Sequence, residues 1–169
     1  VRERPQVDSM VKTTLEQFGR IDILVNNAGI IELARFREVT EASWNRILDT
    51  HLKGAFNCTK AVVEHMVKQQ YGKIINLTSP AALVGGYGFV AYATAKGGII
   101  SFTRVVAREL ARYGINVNCV SPSADTRMLD EFKRIPTYYE ETVQRHLLGL
   151  PKPSDIAPVF AFLASDGAR

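Results

Sequence analysis

The stretch Gly72-Lys73-Ile74-Ile75-Asn76-Leu77-Thr78-Ser79 decides the fold. Ile74-Ile75-Asn76-Leu77 is an apolar run just behind a glycine, so residues 73–78 read as a buried strand. Residues 90–113 follow with a helical pattern that stops at Gly114. The run Ile115-Asn116-Val117-Asn118-Cys119-Val120 is then a further strand, broken by Pro122. Strand, crossover helix and strand in that order predict a right-handed βαβ unit with parallel strands.

Upstream the same alternation holds. Val7, Met10, Val11, Leu15 and Phe18 recur at helical spacing, and Gly19 suits the position that ends such a helix. Residues 21–25 are a short apolar run, the first strand, leading into Asn26-Asn27-Ala28-Gly29. Thr40 can cap a long helix whose apolar stripe runs from Trp44 to Val67 and which Gly72 ends, with Glu41 favourably placed in its first turn. Residues 80–88 are a loop rich in glycine and small side chains. Residues 123–150 read as irregular with one helical piece, and a last helix begins near Asp155.

The expected fold class is therefore α/β, a doubly wound parallel sheet covered on both faces, with three recognisable strands. Three strands leave two bare edges of unpaired backbone groups. Repeats, low-complexity tracts and linkers are absent, so residues 1–169 are expected to form one domain.

Composition narrows the functional classes. Apolar residues are 46% of the 169 and charged residues 22%, the balance of a globular chain with an ordinary core. No apolar run approaches the roughly 20 residues of a membrane span, so no membrane role is expected. Net charge is +4, but the Lys and Arg residues are scattered and no aromatic residues interleave with them, so no nucleic-acid partner is expected. Cys58 and Cys119 form no CxxC and no metal-ligand spacing, and read as two reduced thiols. A cytoplasmic location is expected.

In such folds ligands bind beyond the carboxyl ends of the strands. Asn26 to Gly29, Ser79 and Ser121-Pro122 all fall at those ends. Tyr92 and Lys96 lie four apart in the helical pattern of Tyr92-Ala93-Thr94-Ala95-Lys96, so phenol and ammonium share a helix face. With six Tyr in the chain, chance supplies roughly 0.3 pairs at this spacing, so the pair gains meaning only beside Ser79. A free phenol, with a pKa near 10, is a poor base at neutral pH. A nearby ammonium and an oxidised nicotinamide ring would favour the phenolate and lower that value.

Taken in order, these segments resemble the short-chain dehydrogenase/reductase family. Asn26-Asn27-Ala28-Gly29 is similar to its NNAG motif, residues 75–79 to its serine strand, and Tyr92 to Lys96 to its YxxxK. Residues 116–122 resemble the strand leading to its Pro-Gly motif, and residues 156–166 its last helix. The resemblance implies a Rossmann-like oxidoreductase that interconverts a secondary alcohol and a ketone by hydride transfer with NAD or NADP. By it, a Ser-Tyr-Lys triad of Ser79, Tyr92 and Lys96 is catalytic. Tyr92 is the acid–base, Lys96 holds the nicotinamide ribose and lowers the tyrosine pKa, and Ser79 positions the substrate. Asn26, Ala28, Gly29, Tyr92, Lys96, Pro122, Ala124 and Thr126 are implied at the cofactor.

Three departures stand out. His51 occupies the place of a relay Asn and is expected near Lys96, with a near-neutral pKa that adds a titrating group. Ser123 replaces the glycine after Pro122, and the segment to Thr126 is one residue short. The family's glycine-rich phosphate turn and last strand are not recognisable, so the sequence reads as a truncated dinucleotide-binding and catalytic domain, the interior of a longer enzyme. Tyr87, Phe89, Met128, Leu129 and Phe132 are candidates for a mostly apolar substrate pocket for a small-molecule alcohol or ketone. Two helices apolar on more than one face imply a homodimer or homotetramer. The competing expectation is a non-catalytic dinucleotide-binding or dimerisation member of the same fold.

Overall fold

The computed structural model describes residues 1–130 and 149–168. Helix α1 (Arg4–Phe18) starts with Pro5 in its first turn and ends at Gly19, which takes the left-handed φ of 76° that a glycine accepts freely. Strand β1 (Ile23–Asn26) follows. Next come α2 (Glu41–Leu48), a π-helical turn (Asp49–Lys53) and α3 (Gly54–Gln69). Thr40 caps α2 by accepting from the Ser43 N–H at 3.1 Å. Strand β2 (Gly72–Leu77), the short α4 (Ala81–Val84), α5 (Val90–Leu110) and β3 (Ile115–Val120) complete the centre. The last described helix is α6 (Pro153–Ala164).

The strands pair in parallel in the order β1-β2-β3, and Leu24, Ile74 and Val117 fall in one row across the sheet. That face carries the main core. Val11 of α1, Val62 and Met66 of α3, and Leu110 of α5 pack on Ile74, Ile115 and Val117. Residues one position along point to the opposite face. There α6 packs against β2, Ile75 is 1% exposed, and Ile23 and Val25 remain exposed. The molecule thus has three parallel strands of a Rossmann-like α/β fold.

Several local expectations change. The predicted long helix from residue 40 is interrupted by the π-helical turn around His51, and residues 80–88 contain α4 rather than only loop. Val7 and Val11 of α1 are buried, but Met10 and Phe18 are exposed, because the buried stripe of α1 against α3 is narrow. The helical piece expected within residues 123–150 lies largely outside the described residues. A 3-10 turn at Arg127–Leu129 is described. No described helix is long and apolar enough to cross a membrane.

Candidate active site

Each strand ends on a polar residue or leads into one, and the three ends lie side by side because the strands are in register. Asn26, at the end of β1, is paired with Asn76 of β2. The Asn26 amide nitrogen donates to the Asn76 side-chain oxygen at 2.8 Å and to the Thr59 hydroxyl at 3.2 Å. Asn76, with no exposure, donates in turn to the Thr103 hydroxyl at 2.9 Å, and Thr103 donates to the Ile99 carbonyl at 2.7 Å. This buried chain of amides and hydroxyls joins α3, β1, β2 and α5, and no member is left unsatisfied. Buried polar groups are tolerated only on that condition. Sequence periodicity could not show it, since Asn76 sits inside an apolar run.

Past β2, residues 77–79 meet α5. The Lys96 ammonium donates to the Leu77 carbonyl at 2.7 Å, the Thr78 hydroxyl donates to the Lys96 carbonyl at 2.9 Å, and the Tyr92 phenol pairs with the Ser79 side chain. Ser79 also accepts from the Ala81 N–H, 3.3 Å away, at the start of α4. Tyr92 and Lys96 are both buried. Around Tyr92 pack Ile47, Phe89, Ala91 and Ala95, with Leu129 at the margin, while Tyr87 is exposed under the Arg35 guanidinium. Phe132, the remaining pocket candidate, lies outside the described residues.

His51 enters from the π-helical turn, a feature that recurs at functional sites. Its ring stands edge-on to Tyr92 with centroids 5.2 Å apart. Nε2 lies 2.6 Å from the Ile30 carbonyl oxygen and 3.2 Å from the Ile30 backbone nitrogen; in the tautomer protonated at Nε2 it donates to that carbonyl and leaves Nδ1 as the acceptor. Nδ1 is buried without a partner among the described residues. Gly29 makes room for this ring: a Cβ there would come within 2.5 Å of the His51 Cε1.

The electrostatics depart from the expectation of a depressed phenol. Burial raises the Tyr92 pKa above its ordinary value and the Ser79 hydrogen bond opposes it only in part. Burial lowers Lys96 to about 8. His51 falls to about 4, through burial first and the Lys96 charge second. It is therefore neutral at physiological pH, not poised near 7.

Of the other predicted positions, Asn27 and Ala28 are exposed at the rim and Gly29 is half-buried. Pro122 and Ala124 are half-buried beyond β3, and Thr126 is exposed at the start of the Arg127–Leu129 turn. The Asp125 N–H donates to the Pro151 carbonyl at 2.9 Å, tying this segment to the approach of α6.

A Rossmann-like sheet with serine, tyrosine and lysine gathered at its strand ends defines a class of dinucleotide-dependent oxidoreductases. A family model described as enoyl-(acyl carrier protein) reductase matches residues 1–169. The (2S)-((R)-hydroxy(phenyl)methyl)succinyl-CoA dehydrogenase subunit BbsD of Thauera aromatica is 44% identical over 168 residues, 98% of this chain and 66% of that protein. A 3-oxoacyl-(acyl-carrier-protein) reductase of Synechocystis is 40% identical over 169 residues, 99% of this chain and 67% of that protein. The 3-oxoacyl-(acyl-carrier-protein) reductase FabG of Thermotoga maritima is 39% identical over 98% of this chain and 68% of its own length. The chain belongs to the short-chain dehydrogenase/reductase family, whose members are oxidoreductases that use NAD or NADP. It spans about two thirds of the length of these relatives.

Proposed function

We propose that the protein interconverts a secondary alcohol and a ketone by hydride transfer with NAD or NADP, with Tyr92 as the acid–base group. The observation that carries this reading is the convergence of Ser79 and Lys96 on Tyr92 at the carboxyl ends of the strands. Ser79 can hydrogen-bond the substrate oxygen and hold it where Tyr92 trades its proton. With its pKa raised by burial, Tyr92 is the neutral phenol at physiological pH. That state suits an acid that protonates the oxygen of a ketone as it is reduced.

The donor set fits a dinucleotide. Lys96 has three N–H donors, of which one meets Leu77, so two remain for the hydroxyls of a ribose. Asn26, Ala28, Gly29, Pro122, Ala124 and Thr126 would line the same rim, although the Asn26 amide is already committed within the sheet. A bound NAD or NADP supplies the hydride, while this chain orients the substrate and handles the proton.

The relatives' names support hydroxyacyl and oxoacyl thioesters, carried on coenzyme A or on an acyl carrier protein, as the substrate class. The description of the matching family model favours a second reading, reduction of an enoyl thioester. Steady-state assays of the full-length enzyme with a 3-oxoacyl and an enoyl thioester, each with both dinucleotides, separate the two. Turnover of the 3-oxoacyl substrate supports the first reading. No turnover of either, with dinucleotide binding retained, supports a non-catalytic member of the fold.

A homodimer or homotetramer is part of the same proposal. Phe56 of α3 and Val105 of α5 are each about half exposed, at 50% and 55%, on helices whose other faces pack in the core. Sedimentation of the full-length protein tests it, and a monomer at all concentrations would reject it.

A further inference from the structure

Thr78 has no part in the chemistry above, yet its hydroxyl bonds the backbone of α5 at Lys96. Its N–H donates to the Val120 carbonyl at 2.9 Å, continuing the β2–β3 pairing one residue past the strand. Its backbone is therefore fixed by the sheet. Its side chain, 7% exposed, donates to the Lys96 carbonyl at 2.9 Å. That carbonyl lies inside α5 and already takes the N–H four residues on, so the Thr78 hydroxyl is a second donor to it. The bond is superfluous to the helix. Its effect is to fix where the helix sits.

The neighbours of Thr78 show what is being fixed. Leu77 accepts from the Lys96 ammonium, and Ser79 pairs with the Tyr92 phenol one turn before Lys96. Three consecutive residues thus hold two residues of α5, with Thr78 gripping the backbone while its neighbours meet the side chains. A second tie lies seven residues further along α5, on the same helix face, where Thr103 meets Asn76. Asn76 precedes Thr78 by two residues and shares its face of the strand.

We propose that Thr78 is a positioning residue: its hydroxyl, bound to the Lys96 carbonyl, fixes the turn of α5 that presents Tyr92 and Lys96 to Ser79. This rests on the proposed reading of the site. The groups facing that turn are Ser79, Tyr92, Lys96 and His51.

The test uses the full-length enzyme and its dinucleotide. Thr78→Val keeps the shape and removes the donor, and Thr78→Ser keeps the donor. Thr78→Val should lower kcat roughly tenfold or more, since small misplacements of reacting groups are costly. The substrate KM should change less than twofold, and the pH–rate profile should move to higher pH as the Ser79 bond to the phenol loosens. Thr78→Ser should recover most of kcat. Should Thr78→Val fail to fold, Thr78→Ala against Thr78→Ser carries the comparison, because the two differ by the hydroxyl alone. Wild-type kcat in Thr78→Val, or equal loss in the Val and Ser variants, would overturn the proposal. Tyr92→Phe is measured alongside. If it stays active the reading of the site fails, whereas an inactive Tyr92→Phe with a fully active Thr78→Val rejects Thr78 alone.

Discussion

The Lys96 ammonium stands 5.6 Å from the centre of the Tyr92 ring and gives its hydrogen bond to the Leu77 carbonyl rather than to the phenol. A buried cation held by one neutral carbonyl is costly, which is why its pKa falls from 10.5 to about 8. Because the folded value is depressed, the folded state binds that proton less tightly than the unfolded chain. The penalty is fully present below pH 8 and fades as pH rises from about 8 toward 10.5, and it amounts to about 3 kcal/mol.

Lys96→Met is therefore expected to raise the melting temperature at pH 7 by roughly 5 °C while removing activity. Calorimetric melting of both proteins checks it. A lower melting temperature for the variant would show that the bond to Leu77 outweighs the burial of charge.

His51 yields a prediction of the same pH sense in a more acidic window. Its pKa drops from 6.5 to about 4 on folding, so the unfolded chain takes the proton first as pH falls. Stability should decline by about 3 kcal/mol between pH 6.5 and pH 4 on account of this residue. Denaturant titrations of wild type and His51→Asn across that window should diverge, with the wild type losing more. The His51 imidazole resonances should show no titration between pH 5.5 and 8.

Gly29 and His51 should couple. A methyl group at Gly29 would collide with the imidazole, so Gly29→Ala is expected to cost about 1–3 kcal/mol. His51→Asn removes the obstructing ring, and the double variant should recover at least half of that loss. Additive losses in a double-mutant cycle would mean that Gly29 is needed for some other reason.

The sequence carried the frame of this molecule for identifiable reasons. Each strand is a short apolar run bounded by residues that end structure, and Gly114, at φ 69° with the Gln70 carbonyl 2.6 Å from where a Cβ would sit, marks the turn into β3 unmistakably. Tyr92, Lys96 and Ser79 were legible because helical spacing and a strand end are local properties. The π-helical turn was not, because it belongs to a tertiary contact, the His51 ring reaching Ile30 twenty-one residues away. The direction of the Tyr92 pKa was hidden for the same reason: it follows from burial by α2, Phe89 and Ala95, which spacing along the chain does not reveal.

The central claim is that the Tyr92 phenol moves the proton. Tyr92→Phe in the full-length enzyme removes that proton and little else, so turnover of a 3-oxoacyl thioester should fall by about a hundredfold or more. Dinucleotide affinity, measured by calorimetry on the same preparation, should stay within about threefold, because Lys96 keeps its bond to Leu77. Turnover within about tenfold of wild type would contradict the account and require another acid at the strand ends.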